Sequence, residues 1–317
     1  MARLIASKED LKRHIILSAT FDFEKVLPHA KRADRKIFVG LIGREQSAKI
    51  IEHNYDEDSD EPLNLVKGLF EEAVSHYALF MAMPTLNLLI TNSGTKKIET
   101  TESANADWKD KLDLDRSIVK IYTEALDEAF EIMEDNPDDF QEWVNSDHYT
   151  VFKDLLVSQT KEFDNYFSIQ KNRYTFLALK PYMREVESQY FVGMLGQCTL
   201  DFLKKKSAVA VVVQAQEIAQ RAMVALTVAK TAENGAFSFT ETSMTYSMDV
   251  LPWEKKQQLS DIRLEKLQRA RQTAGEEYLK QLKKLIVANQ TVFNCYEDKI
   301  EKGLDAKLIK KKSGLTL

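Results

Sequence analysis

Glycine and proline are scarce in this chain, 10 and 6 among 317 residues. An all-β sandwich with many turns needs those residues, so their scarcity points to long helices instead. Cysteine is scarcer still. Cys198 and Cys295 are too few for a disulfide framework or a zinc site, and fit a reducing compartment or simple indifference to redox state. Cys198 stands near an expected helix start with no histidine beside it, and reads as a small buried hydrophobe before it reads as a nucleophile. Purely apolar runs are short, as at Ala208–Val213, against the ~18 residues of a membrane span. The segment Met1–Glu9 lacks the apolar stretch of a signal peptide, so a soluble chain outside the general export route is expected. A net charge of −5 disfavours a strongly basic nucleic-acid binder.

Catalytic motifs are missing as well. No G-x-S-x-G elbow, G-x-G-x-x-G dinucleotide loop or phosphate-binding P-loop occurs. The five histidines, His14, His29, His53, His76 and His148, show no H-x-x-x-H spacing for a metal. Asp56, Asp58 and Asp60 mimic the start of a calcium loop, but Glu61 stands where the EF-hand needs glycine and Lys67 where it needs a bidentate glutamate. That segment reads as a solvated loop. A helix-turn-helix reading of residues 28–53 fails on charge, because Arg44–His53 is close to neutral and its counterpart Gln197–Phe202 suits phosphate contact even less. No catalytic, cofactor-binding or metal-binding residue is therefore assigned.

What is present is a repeat. Pro28, Phe38, Val39, Gly40 and Gly43 recur as Pro181, Phe191, Val192, Gly193 and Gly196, 153 residues on and without a gap. Farther along, Val66, Ala73, Val74 and Tyr77 meet Ala215, Ala222, Met223 and Leu226 at an offset of 149, as do Leu88 and Ile90 with Phe237 and Phe239. An offset of 145 pairs Trp108 with Trp253, and Val119, Tyr122, Ala125 and Ala129 with Leu264, Leu267, Ala270 and Ala274. Phe140 and Trp143 return to 153 opposite Phe293 and Tyr296. The fold class expected is mainly α: a tandem duplication of a helical module, each copy carrying one β-hairpin. The first module takes 1–153, the second 154–300, and 301–317 is a charged tail whose Lys307–Lys312 run reads as a frayed terminus.

Each module reads alike. A Ser/Thr N-cap opens a short helix at 7–16 and 160–170. Pro28 and Pro181 open helices at their first turn. Gly-x-x-Gly follows, then a third helix (44–53, 197–205) and a long amphipathic helix with apolar residues at 66, 69, 70, 73, 74, 77 and 80. Thr- and aromatic-rich alternation predicts hairpins near 86–101 (strands 86–91 and 98–101) and 235–248, whose free edges could pair with another chain. A last long helix is expected at 107–134 and 253–288. Glu71-Glu72 become Gln220-Arg221, which suggests an exposed helix face.

The copies differ in charge. Residues 107–139 hold 12 acids against 4 bases, and 253–292 hold 5 acids against 9 bases. Solvated faces explain this blandly. A sharper reading has the second module of one chain meeting the first module of the next, with opposite charge setting the register.

The motif Pro-x-x-x-x-(Ala/Val)-(Asp/Glu)-x-x-(Ile/Tyr)-Phe-Val-Gly-(Leu/Met)-(Ile/Leu)-Gly, with its long helix, hairpin and second long helix, resembles the head–tail connector (adaptor) proteins of tailed bacteriophages and prophages, in a tandemly duplicated form. The resemblance spans essentially the whole chain. It implies a structural virion protein without catalytic residues, assembled in the host bacterial cytoplasm and placed in the neck. Its partners would be its own copies in a ring of about twelve, a portal protein, and tail or further connector proteins. Non-specific contact with exiting DNA is implied too, and no membrane. The alternatives are a non-catalytic bacterial interaction scaffold or regulator, and an enzyme whose site the sequence does not reveal.

Overall fold

The computed structural model describes residues 3–56, 58–86, 88–91, 94–97, 107–149, 154–205, 207–234, 236–240, 243–246 and 259–296. Of Trp108 and most of the first hairpin only the backbone is described, and Trp253 and the tail 301–317 lie outside the described residues.

The chain is mainly α and built from two copies of one helical module, each with a two-stranded antiparallel hairpin. The first copy runs through α1 (Lys8–His14), a 3-10 turn (Phe23–Lys25), α2 (Leu27–Ala33), a π-helical turn (Asp34–Val39), one α turn (Gly40–Ile42) and α3 (Arg44–Glu52). It continues with α4 (Pro62–Leu86), β1 (Leu88–Thr91), β2 (Gly94–Lys97), α5 (Trp108–Asp135) and α6 (Gln141–Val144). The second copy has α7 (Thr160–Asp164), α8 (Arg173–Val186), a π turn (Glu187–Val192), an α turn (Gly193–Leu195), α9 (Gln197–Leu203), α10 (Ala210–Thr231), β3 (Phe237–Phe239), β4 (Met244–Tyr246) and α11 (Asp261–Ala288). Each has its own core. One gathers Phe38, Phe70, Phe130, Phe140 and Trp143, and the other Phe163, Phe176, Phe191 and Phe293. The long helices pair within each module, α4 on α5 and α10 on α11.

The structure corrects the repeat register in two places. The first concerns the last helix. Both copies of it are 28 residues long and lie 153 apart, so α11 begins at Asp261 and not at 253, and the helices align at 153 and not at 145; Trp253, paired with Trp108 in the sequence, lies outside the described residues. At 153 the buried Tyr122, Leu126, Ala129 and Met133 fall on Gly275, Leu279, Leu282 and Ile286, the four buried residues of α11. Apolar residues at three- and four-residue spacing recur along a long helix and align in more than one register, but eight residues turn it by about 80° and only the 153 register sets buried residue on buried residue.

The second correction is at the N-terminal segment, where the offset is 152. Ser7 caps α1 and Asp10 reaches back to the N–H groups of Ala6 and Ser7. Glu162 does the same for Ser158 and Gln159, so Gln159 and not Thr160 is the N-cap of α7. The capping box needs the carboxylate three residues after the cap, and that spacing overrides the Ser/Thr preference. Both short helices also stop before their expected ends.

Pro28 opens α2 as expected, but Pro181 sits inside α8, which starts at Arg173. Asn172 accepts the N–H of Thr175 and supplies an earlier start, and the proline is accommodated on the exposed side. Downstream the copies coincide. Phe38 and Phe191 are wholly buried, and Gly43 and Gly196 take φ of +84° and +76°. A side chain would be strained at either, which is why each module turns here on glycine. At Gly40 a Cβ would stand 2.7 Å from the Arg35 carbonyl oxygen, whereas Gly193 faces open space.

The hairpins share one register at an offset of 149: Leu88 pairs with Lys97 and Phe237 with Tyr246. The described return strand is 94–97, reached after only two residues beyond Thr91, and the expected strand at 98–101 lies outside the described residues. The second hairpin does not offer free edges. The Met244 N–H donates to the Ser168 carbonyl and the Leu259 N–H to the Phe239 carbonyl, while Phe237, Phe239 and Met244 enter the core.

The crossing point of the long helices also differs between copies. Tyr77 and Tyr122 meet edge to face at 5.3 Å in the first. Their counterparts are Leu226 and Gly275, where a Cβ on the glycine would stand 2.6 Å from Leu226 Cγ. The helices therefore approach more closely than any side chain at 275 allows.

Candidate functional site

The most concentrated polar chemistry lies between the modules. Asp127, Glu131, Glu134 and Asp135 recur at three- and four-residue spacing and so line one face of α5. The first turn of α8 brings Arg173 onto that face. Its side chain is 1% exposed; Nε donates to Asp127 Oδ1 at 3.0 Å, and Nη1 and Nη2 donate to the two Glu134 oxygens at 2.7 and 3.4 Å. The guanidinium also lies over the Phe130 ring, 4.7 Å from its centroid. At the rim Lys161 of α7 pairs with Glu131 at 3.3 Å and Asp135 at 3.1 Å. Tyr174 continues the contact against Tyr122. Burial raises both the Asp127 and Glu134 pKa values, with the arginine pulling the other way. Burial opposes the charge on Arg173, yet the two carboxylates outweigh it and raise its pKa. This is an ionic lock between modules. Part of the acidity of residues 107–139 is thus used inside the chain.

Lys180, on the same helix, is buried too. Burial, with Arg173 and Arg184 nearby, lowers its pKa from 10.5 to about 7. In the first module burial raises Asp34 from 3.8 to about 6, against the pull of Arg3 and a bond from the Leu4 N–H. The two act on stability in opposite directions. Unfolding releases the Asp34 proton between about pH 4 and 6, so stability falls as pH rises there. Unfolding takes up a proton at Lys180 between about pH 7 and 10, so stability rises across that window, by roughly 2–4 kcal/mol. Urea denaturation over a pH series should show a minimum near neutrality. Lys180→Met should abolish the rise above pH 7 and keep the fall below it.

A second cluster joins α1 to α4. Glu71 is buried, with Arg13 Nη1 at 3.2 Å and His14 Nε2 at 3.6 Å, which corrects the expectation of an exposed Glu71-Glu72 face. The equivalent pair in the second copy is neutral: the Tyr166 hydroxyl meets Gln220 Oε1 at 3.5 Å. Lys67 donates to the carbonyls of Ile51 and His53, and its counterpart Gln216 donates to those of Leu203 and Lys205. Each thereby closes the C-terminus of the preceding helix. The acidic loop is organised by Asn64, whose side chain bonds Asp56 and Ser59 backbone groups.

Cys198 and Cys295 form a disulfide, with Cα atoms 5.7 Å apart and both residues exposed. This corrects the reading of two redox-indifferent cysteines, and of Cys198 as a buried hydrophobe. The pair is 97 residues apart in sequence, and only the fold brings the exit of α11 back to α9. Among the described residues no group of three or more His, Cys, Asp or Glu is placed to hold a metal. A recess of about 160 Å³ between α10 and α11 is lined by Tyr190, Lys230, Glu233, Gln268 and Gln272. It is smaller than an ordinary ligand pocket, and Gln272 bonds Tyr190 while Gln268 bonds Glu233. No helix among the described residues is long and apolar enough to cross a membrane.

The sequence pattern of DUF6712, a family of unknown function, matches residues 36–153 and again 186–303, about three quarters of the chain. The chain belongs to the DUF6712 family. The two matches are the two modules, each running from the π turn to beyond the last long helix, so this DUF6712 protein holds its family unit twice. No curated protein and no solved structure matches it. The repeat residues Phe38, Phe191, Gly43 and Gly196 are brought to corresponding places as packing and turn residues, within or beside the family unit. Arg173 and Lys161 lie outside both matches. Sequence reasoning missed them because their partners stand 26–46 residues away, although the acid spacing on α5 marked the face they bind.

Proposed function

We propose that this DUF6712 protein is a structural component of a virion, a head–tail connector forming a ring of its own copies between portal and tail around the DNA exit channel. One observation carries the reading. The two modules keep the residues that pack and exchange the residues that carry charge: Phe38 and Phe191 are alike, while Asp127 and Glu131 on α5 stand opposite Lys280 and Lys284 on α11. Such a pattern suits a building block with unlike ends better than a duplicated site. A ring needs a heterologous contact, and a rigid two-module unit with ends of different charge provides one. The clusters around Arg173 and Glu71 join helix to helix. Among the described residues the outer edges of β1–β2 carry no further strand, which leaves that hairpin for a portal or tail partner. Purified protein mixed with a portal protein of the same genome should give rings in negative stain and a matching rise in mass by mass photometry. Monomers under every such condition would remove the reading.

A further inference from the structure

The contact between modules is heterologous. The α5 face of one module meets the α7–α8 edge of the next. Every module of this kind owns both surfaces, so a chain of two uses one of each and leaves one of each over. The structural register identifies the leftovers. At an offset of 153, Asp127, Glu131, Glu134 and Asp135 of α5 become Lys280, Lys284, Val287 and Ala288 of α11. At 152, Lys161 of α7 becomes Glu9 of α1. The ion pair Lys161–Glu131 that crosses the inner contact therefore recurs with both signs reversed, as Glu9 and Lys284. All of these leftover residues are exposed.

We propose that the α11 face around Lys280, Lys284 and Val287 binds the α1 edge around Glu9 of a second copy, repeating between chains the contact that joins the modules within one. The proposal rests on the reading that copies associate, and it names the surfaces. Charge complementarity selects this occupant. The acidic α5 face repels Glu9, and the basic α11 face repels Lys161 and Arg173, so neither contact can take the other's partner. The outer contact has no ionic lock, because Arg173 falls on Thr20 or Phe21 at an offset of 153 or 152, neither a cation, and Glu134 becomes Val287. It is therefore the weaker and the reversible one, which lets chains add and leave before a ring closes.

Sedimentation velocity over a concentration series tests this on the full chain. Glu9→Lys and Lys284→Glu should each weaken self-association about tenfold, with circular dichroism unchanged because both side chains are on the surface. Mixing the two single variants should restore association, since Lys284 of one meets Glu9 of the other, and the double variant should associate like the wild type. Where rings form only on a portal protein, the same variants are read on ring formation. Association unaffected by either reversal, or a double variant as weak as the singles, overturns the proposed surfaces and leaves the ring reading standing. A wild type that stays monomeric alone and with a portal protein overturns both.

Discussion

Replacing Arg173 with alanine is expected to cost about 3–5 kcal/mol of stability, because it leaves Asp127 and Glu134 buried with no cation between them. The cation–π contact with Phe130 is lost at the same time. The damage has a signature beyond its size. Arg173 belongs to the second module and both acids to the first, so unfolding that is cooperative across the chain should separate into two transitions. Part of the loss should be recovered at mildly acidic pH, where carboxyls already raised by burial take up protons. Replacing all three groups with apolar residues of similar volume should be neutral or stabilising, since the desolvation cost of the ions disappears with them. Urea denaturation followed by circular dichroism checks each case. A loss below about 1 kcal/mol for Arg173→Ala would place the lock with ordinary surface pairs, and the modules would have to be held by something else.

Deleting the second hairpin, residues 237–246, is expected to unfold the second module, whereas deleting 88–97 should leave the helical signal near that of the wild type. The hairpins have the same register and opposite standing. Phe237, Phe239 and Met244 belong to the core, and Ser238 and Thr245 on the other face are buried as well. Both edges of the hairpin are taken, by Ser168 and by Leu259, and the Tyr246 N–H donates to Thr175. Removing one buried Phe costs about 3–5 kcal/mol, and a whole domain has only about 5–15 to lose. The graded control is Phe239→Ala, which should destabilise without abolishing folding. The first hairpin contacts α4, and its Leu88 is exposed. Deleting it should spare the fold, and under the proposed connector role it should remove binding to a portal or tail protein, read by mass photometry. A second module that still folds without β3–β4 would show the long-helix pair to be self-sufficient.

The duplication could be read from residues because packing positions tolerate little change: Phe38 with Phe191 and Gly43 with Gly196 survive at one spacing. Where it failed, the failure has a cause. The 145 offset pairs Val119, Tyr122, Ala125 and Ala129 with apolar residues because three- and four-residue apolar spacing recurs along any long amphipathic helix, so residue matching alone does not fix the register. The offset of 149 that relates Leu88 and Ile90 to Phe237 and Phe239 also leads from 244–246 to 95–97, so the return strand follows from the repeat once both strands share one register. A proline marks a helix start at Pro28, yet α8 carries Pro181 on an exposed side with two turns of helix before it. The replacement of Glu71 by Gln220 suggests exposure in the sequence, but it is coupled to that of His14 by Tyr166 across the same contact.

Sequence alone determined that this protein is two copies of a mainly helical unit with a hairpin in each, because helical periodicity, turn glycines and core aromatics are local signals that repeat. Only the tertiary structure decided which charges are spent inside the chain and which remain on its surface. Arg173 with Asp127 and Glu134, Cys198 with Cys295, and the sign-reversed pair Glu9 and Lys284 are all made by parts of the chain far apart in sequence. A charge carries no mark of its partner until folding sets the distance between them.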